Sequence, residues 1–129
     1  MTIRRIPIAL ALLIAGAAVP AQAPRLAALS SIETGEWTLK EIGGEGRSLC
    51  LSDPRTLIQL RHGNAQCTRF VISDDPHSVT VHYTCPGAGH GRTTITVETS
   101  RLIKVETQGI AGGAPFESTY EGRRTGACG

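Results

Sequence analysis

Residues 79–106 read VTVHYTCPGAGHGRTTITVETSRLIKVE, and their pattern decides the fold. The runs Val79 to Cys85, Arg92 to Glu98 and the stretch through Ile103 and Val105 alternate apolar and polar side chains with the two-residue period of a half-buried strand. Centring a hairpin on the loop Pro86-Gly87-Ala88-Gly89-His90 sets Val81 opposite Ile95 and Val79 opposite Val97. Centring the next one near Ser100 sets Val97 opposite Ile103 and Ile95 opposite Val105. All of these partners are odd-numbered, so one apolar face runs through three strands, while Thr80, His82, Thr94, Thr96, Lys104 and Glu106 take the other face. The expectation is an antiparallel meander with one face on the core and one in water.

Upstream, the turn cluster Ser73-Asp74-Asp75-Pro76-His77-Ser78 separates the strand-like runs Arg69 to Ile72 and Val79 to Thr84. A hairpin centred there sets Val71 opposite Val81, Arg69 opposite Tyr83 and Cys67 opposite Cys85. Directly opposed residues of an antiparallel pair lie within disulfide reach. The four cysteines allow three pairings, and this register selects Cys67 with Cys85, which leaves Cys50 with Cys128. The absence of a C-x-x-C argues against a thioredoxin-type redox site, and the cysteine spacings fit no common zinc pattern.

Further out, Glu36 to Ile42 alternates around Trp37 and Leu39, and the turn Gly43-Gly44-Glu45-Gly46 leads into Arg47 to Leu51, a first hairpin. Asp53-Pro54 has the form of a helix start, with Leu57, Ile58 and Leu60 on one side and Gly63 as terminator, so one short helix of about two turns is expected. Gly109 to Pro115 reads as a glycine-rich loop, and Phe116 to Thr125 as a last strand with Phe116, Ser118 and Tyr120 on one side. The fold class is therefore mainly β: an antiparallel meander of about seven strands with one short helix, stapled by disulfides.

The N-terminus has the three parts of a secretory signal in residues 1–23: Arg4 and Arg5, an apolar stretch from Ile6 to Val19, and small residues at Ala21 and Ala23. Cleavage falls after Ala21 or Ala23, and the apolar run is too short to span a bilayer comfortably. Residues 24–34 read as an Ala-rich leader with little fixed structure, and residues 35–129 as a single small β domain. Removing Arg4 and Arg5 leaves 11 basic against 11 acidic residues, so a nucleic-acid or anionic-lipid partner has no electrostatic footprint. With aromatics at 4%, a stacking platform for bases or sugars has almost no material. An exported chain of about 106 residues buries only some 60 to 70% of its unfolded surface, which is where disulfides add stability. A periplasmic or secreted location follows from the signal and the even cysteine count.

Candidate chemistry is thin. His62, His77, His82 and His90 show no metal-ligand spacing: His62 falls at the expected helix end, His77 and His90 in turns, and His82 on the wet face opposite Phe70. All four read as surface residues, so no catalytic, metal or cofactor residue is assigned. Gly87, Gly89 and Gly91 are not followed by the GK[ST] of a phosphate loop, Asp74 and Asp75 read as an Asx-turn rather than a calcium loop, and no G-x-S-x-G occurs.

The opening Gly35-Glu36-Trp37, the pair Cys50-Leu51, the middle cysteines Cys67 and Cys85 and the closing Arg123-Arg124-Thr125-Gly126-Ala127-Cys128, in that order after a signal segment, resemble the small exported bacterial proteins grouped as domain of unknown function 3617. The resemblance runs from Gly35 to Cys128. It implies an envelope or secreted location, no established activity, and no catalytic residue to carry over. Trp37 reads as a core anchor. The leading expectation is a non-enzymatic exported β-domain that binds an envelope component or a small apolar ligand, with no membrane span after cleavage. The alternatives are a small hydrolase using a histidine and an acid, and a lipocalin-like carrier, although seven strands barely close around a ligand.

Overall fold

The computed structural model describes residues 2–3, 11–17 and 25–129. Arg4, Arg5, Ala21, Ala23 and Pro24 lie outside them, and with them the choice of cleavage site. Leu12, Leu13 and Ile14 of the apolar stretch are exposed, and no helix among the described residues is long and apolar enough to cross a membrane.

Seven strands form one antiparallel sheet: β1 (Gly35–Glu41), β2 (Gly46–Leu51), β3 (Thr68–Asp75), β4 (Ser78–Cys85), β5 (Gly89–Thr99), β6 (Leu102–Ala111) and β7 (Ala114–Gly126). Their spatial order is β2-β1-β7-β6-β5-β4-β3, so β3 to β7 are a meander and the first hairpin joins it through β1 against β7. Val71 faces Val81 and Arg69 faces Tyr83, as the turn cluster implies. Val97 faces Ile103 and Ile95 faces Val105. Both expected disulfides are present, Cys67–Cys85 within the β3–β4 hairpin and Cys50–Cys128 between β2 and the C-terminus.

The β4–β5 register differs from expectation by two residues. Val79 faces Ile95 and Val81 faces Thr93, with Cys85 opposite Gly89. The connection is Pro86 to Ala88 rather than five residues, because Gly89 and His90 are already strand. The expected loop at 109–115 shrinks in the same way: β6 runs to Ala111, β7 begins at Ala114, and only Gly112 and Gly113, at φ 57° and 77°, make the turn. Parity survives both changes, so the apolar face is intact.

That face buries Trp37, Leu39, Val79, Val81, Tyr83, Ile95, Val97, Ile103 and Val105. It is covered by a 3-10 helix, Pro54–Gln59, and a single-turn helix α1, Ala27–Ser30. The Asp53 side chain accepts the Arg55 amide as its N-cap, and Leu57 and Ile58 point into the core. The segment expected to be a loose leader is part of the fold: Ala28, Leu29 and Ile32 are at most 5% exposed. The physical reason lies in β3, where the Asp74 carboxylate accepts the backbone amides of Arg25, Leu26 and Ala27 at 3.0 to 3.3 Å. Asp74 thus caps α1 from a neighbouring strand instead of closing a local Asx-turn. Trp37 is fully buried and its indole N–H donates to the Glu33 carbonyl at 2.9 Å.

Candidate ligand-binding face

The two faces of the sheet carry different chemistry. On the core side, His62 follows the 3-10 helix and reaches across to the sheet. Its Nε2 lies 3.1 Å from the Ala88 carbonyl and 2.9 Å from that of Ile110, and its Nδ1 lies 2.8 Å from the Tyr83 hydroxyl. Carbonyl oxygens only accept, so Nε2 carries a proton, and in that tautomer Nδ1 accepts the Tyr83 O–H. The ring packs edge-on against Tyr83 and Phe116. Tyr83 is fully buried, and that burial pushes its phenol above the ordinary value, while a hydrogen bond with Thr107 pulls the other way. The Thr93 hydroxyl donates to the Ile58 carbonyl at 2.6 Å and meets Thr107 at 2.8 Å. Every partner in this network is satisfied, which makes His62 a latch between helix, loop and sheet and corrects its reading as a surface residue.

The latch also explains the glycines. A Cβ at Gly91 would overlap the Tyr83 hydroxyl and ring, and one at Gly89, whose φ is 118°, would overlap the Ile110 carbonyl. These glycines are strand residues because an aromatic ring and a backbone lie on them.

On the opposite side, one cross-strand row carries Phe70, His82, Arg92, Gln108 and Glu117 on β3 to β7 in turn. Phe70 is 70% exposed. The next row carries Thr80, Thr94, Glu106 and Thr119, with the Thr80 and Thr94 hydroxyls 2.9 Å apart. Two adjoining depressions lie on this face. One, of about 340 Å³, is bounded by His82, His90, Arg92, Gln108 and Ile110 over the backbone of Gly91 and Gly109. The other, of about 250 Å³, runs from Arg92 and Gln108 to Glu106 and Glu117. Arg92 and Gln108 belong to both.

Among the described residues Arg92, like Arg25, Arg47, Arg61 and Arg69, makes no ion pair, whereas Arg55, Arg101, Arg123 and Arg124 each have a carboxylate partner. His82 and His90 stack obliquely with ring centroids 5.8 Å apart, and neither ring has a hydrogen-bond partner among the described residues. His90 is on strand β5 rather than in a turn; His77 is in the β3–β4 turn, as expected. No group of three or more metal-ligating side chains occurs among the described residues, and no histidine pairs with a carboxylate there. The alternation puts His82 on the wet face, and the β5–β6 register already sets Arg92 opposite Gln108, but bringing His82 opposite Arg92 depends on the β4–β5 register, which differs from expectation. No family model, curated protein or solved structure matches this chain.

Proposed function

We propose that this protein is an exported, non-enzymatic binding domain, periplasmic or secreted, that takes a polar ligand on the outer face of its sheet. The observation that carries the reading is the pair of joined depressions sharing Arg92 and Gln108, with the Arg92 guanidinium left without a carboxylate. A guanidinium is over-represented wherever carboxylate or phosphate is recognised in a fixed plane. Trp37, Leu39, Leu57 and Ile58 fill the space between the sheet and its covering helices at 0 to 1% exposure, which leaves no enclosed chamber and weighs against a lipocalin-like carrier; the depression of about 420 Å³ on that side lies at the surface between α1 and the 3-10 helix, lined by Leu26, Leu29 and Ile32 with Arg25, Asp53 and Arg55. The outer-face reading puts a polar ligand in place of the envelope component or small apolar ligand expected from the sequence. The hydrolase alternative lacks a histidine held by an acid among the described residues. Export rests on the signal-like residues 1–23 and agrees with two disulfides; the resemblance to domain of unknown function 3617 points the same way and assigns no activity.

Native mass spectrometry of protein purified from its own compartment tests the reading. A small adduct that co-purifies with the natural chain and is lost in Arg92→Ala is the expected result. An adduct retained by Arg92→Ala, or none in either protein, overturns it.

A further inference from the structure

The depression over Gly91 and Gly109 has an unusual composition for a mixed-charge surface. Four polar side chains line it: His82 from β4, His90 and Arg92 from β5, and Gln108 from β6. All four can donate hydrogen bonds, and no carboxylate is among the lining residues. His82 faces Arg92 directly, Arg92 faces Gln108, and His90 is the diagonal neighbour of both His82 and Gln108, so the four heads surround one spot. The missing side chains of Gly91 and Gly109 follow from Tyr83 lying on the far side of the sheet at Gly91 and from the His90 carbonyl at Gly109. The geometry points to an oxyanion site here, taking a carboxylate or phosphate group, with Arg92 as the fixed charge and the two imidazoles and the Gln108 amide as flanking donors.

This inference rests on the outer face being the binding face and names what it binds. A metal ion is the rival occupant of two adjacent imidazoles, but it gains nothing from the guanidinium or the amide nitrogen, whereas an oxyanion uses all four groups. The charged groups around the two imidazoles are few. Arg92 lies between them and β6, while Phe70 on β3 and Thr84 on β4 are uncharged. Of the nearby acids, Glu106 on β6 is the diagonal neighbour of Arg92 and Glu117 on β7 faces Gln108; both line the second depression rather than this one.

The test is amide NMR of the full chain with both disulfides formed, titrated with inorganic phosphate, with acetate and, separately, with Zn²⁺. Expected are saturable shifts centred on Gly91 and Gly109 for at least one anion. Loss of the charged donor in Arg92→Ala weakens binding about tenfold or more, and His82→Ala and His90→Ala weaken it less. Comparing phosphate with acetate identifies the group. The inference is overturned by the absence of saturable shifts with either anion, by shifts indifferent to Arg92→Ala, or by Zn²⁺ alone binding at the imidazoles. If neither anion binds while the natural adduct still depends on Arg92, the oxyanion assignment fails and the binding face stands. If that adduct is missing as well, both fail.

Discussion

Replacing His62 by Ala removes a ring that joins three separate segments of the chain. The Nε2 proton is shared by the Ala88 and Ile110 carbonyls and counts as one hydrogen bond; the Tyr83 hydroxyl donating to Nδ1 is the second. At about 1 kcal/mol net for each, their loss costs about 2 kcal/mol. Edge-on packing against Tyr83 and Phe116 adds about 1 kcal/mol. The expected destabilisation is about 3 kcal/mol, or about 12 °C in Tm for a domain of roughly 100 residues. Urea unfolding at constant m-value measures it. His77→Ala is the internal control, because that side chain is exposed and has no hydrogen-bond partner among the described residues; its effect stays within about 0.5 kcal/mol. Tyr83→Phe and the double variant complete a cycle whose coupling energy is about 1 kcal/mol. A His62→Ala cost below about 1 kcal/mol, or no coupling to Tyr83, refutes the latch.

Gly91→Ala pushes a methyl into the Tyr83 ring, so it destabilises by about 1 to 3 kcal/mol and the Gly91→Ala/Tyr83→Ala pair recovers part of that strain, as denaturation of the two variants will show. Removing the Cys50–Cys128 bridge, which spans 78 residues, costs about 4.5 kcal/mol by loop entropy, against about 3 kcal/mol for Cys67–Cys85, which spans 18. Paired Cys→Ala variants compare the two bridges, and non-reducing peptide mapping checks the connectivity. Glu33, hydrogen-bonded to Arg101, and Asp53, hydrogen-bonded to Arg55, are held below their ordinary values of 4.5 and 3.8. Their pairs therefore support the fold above the ordinary carboxylate range and are lost as pH falls through the lowered folded values. Carboxyl NMR titration should show both depressed, with the shift at Glu33 abolished in Arg101→Ala.

Strand parity was legible because it needs only alternation, and it held from Val79 to Tyr120. Register across the β4–β5 turn was not, because Gly89 and Gly91 were read by their frequency in loops. Their spacing by two, with another glycine at 109, was the available signal: alternate glycines in a strand mark something lying on its face. His62 was missed for a related reason, since nothing local distinguishes a histidine at an exposed helix end from one that reaches two carbonyls, Ala88 and Ile110, 26 and 48 residues away. Asp74 had the composition of a turn and the function of a cap for a helix 47 residues upstream, a contact no window-based reading contains. The disulfides, by contrast, followed from one correctly centred hairpin. The donor cluster on the outer face inherited the register error in one part: Arg92 opposite Gln108 follows from the β5–β6 register, but the expected β4–β5 register sets His82 opposite Thr94 instead of Arg92.

The pairing of β1 with β7 sets the order in which this chain can be built. The Thr125 hydroxyl donates to the Glu36 carbonyl across 89 residues, and the strands holding those residues are neighbours in the middle of the sheet. The β3–β6 hairpins need only local closure, so they form early, but the hairpin of β1 and β2 has no edge to join until β7 has been synthesised. Until then the edge of β6 is bare, and Cys50 waits for a partner one residue from the C-terminus. An intermediate with an open strand edge and a free thiol invites pairing with another copy. For this topology, the interval between synthesis of residue 111 and residue 128 is the window of greatest exposure to aggregation and mispaired disulfides.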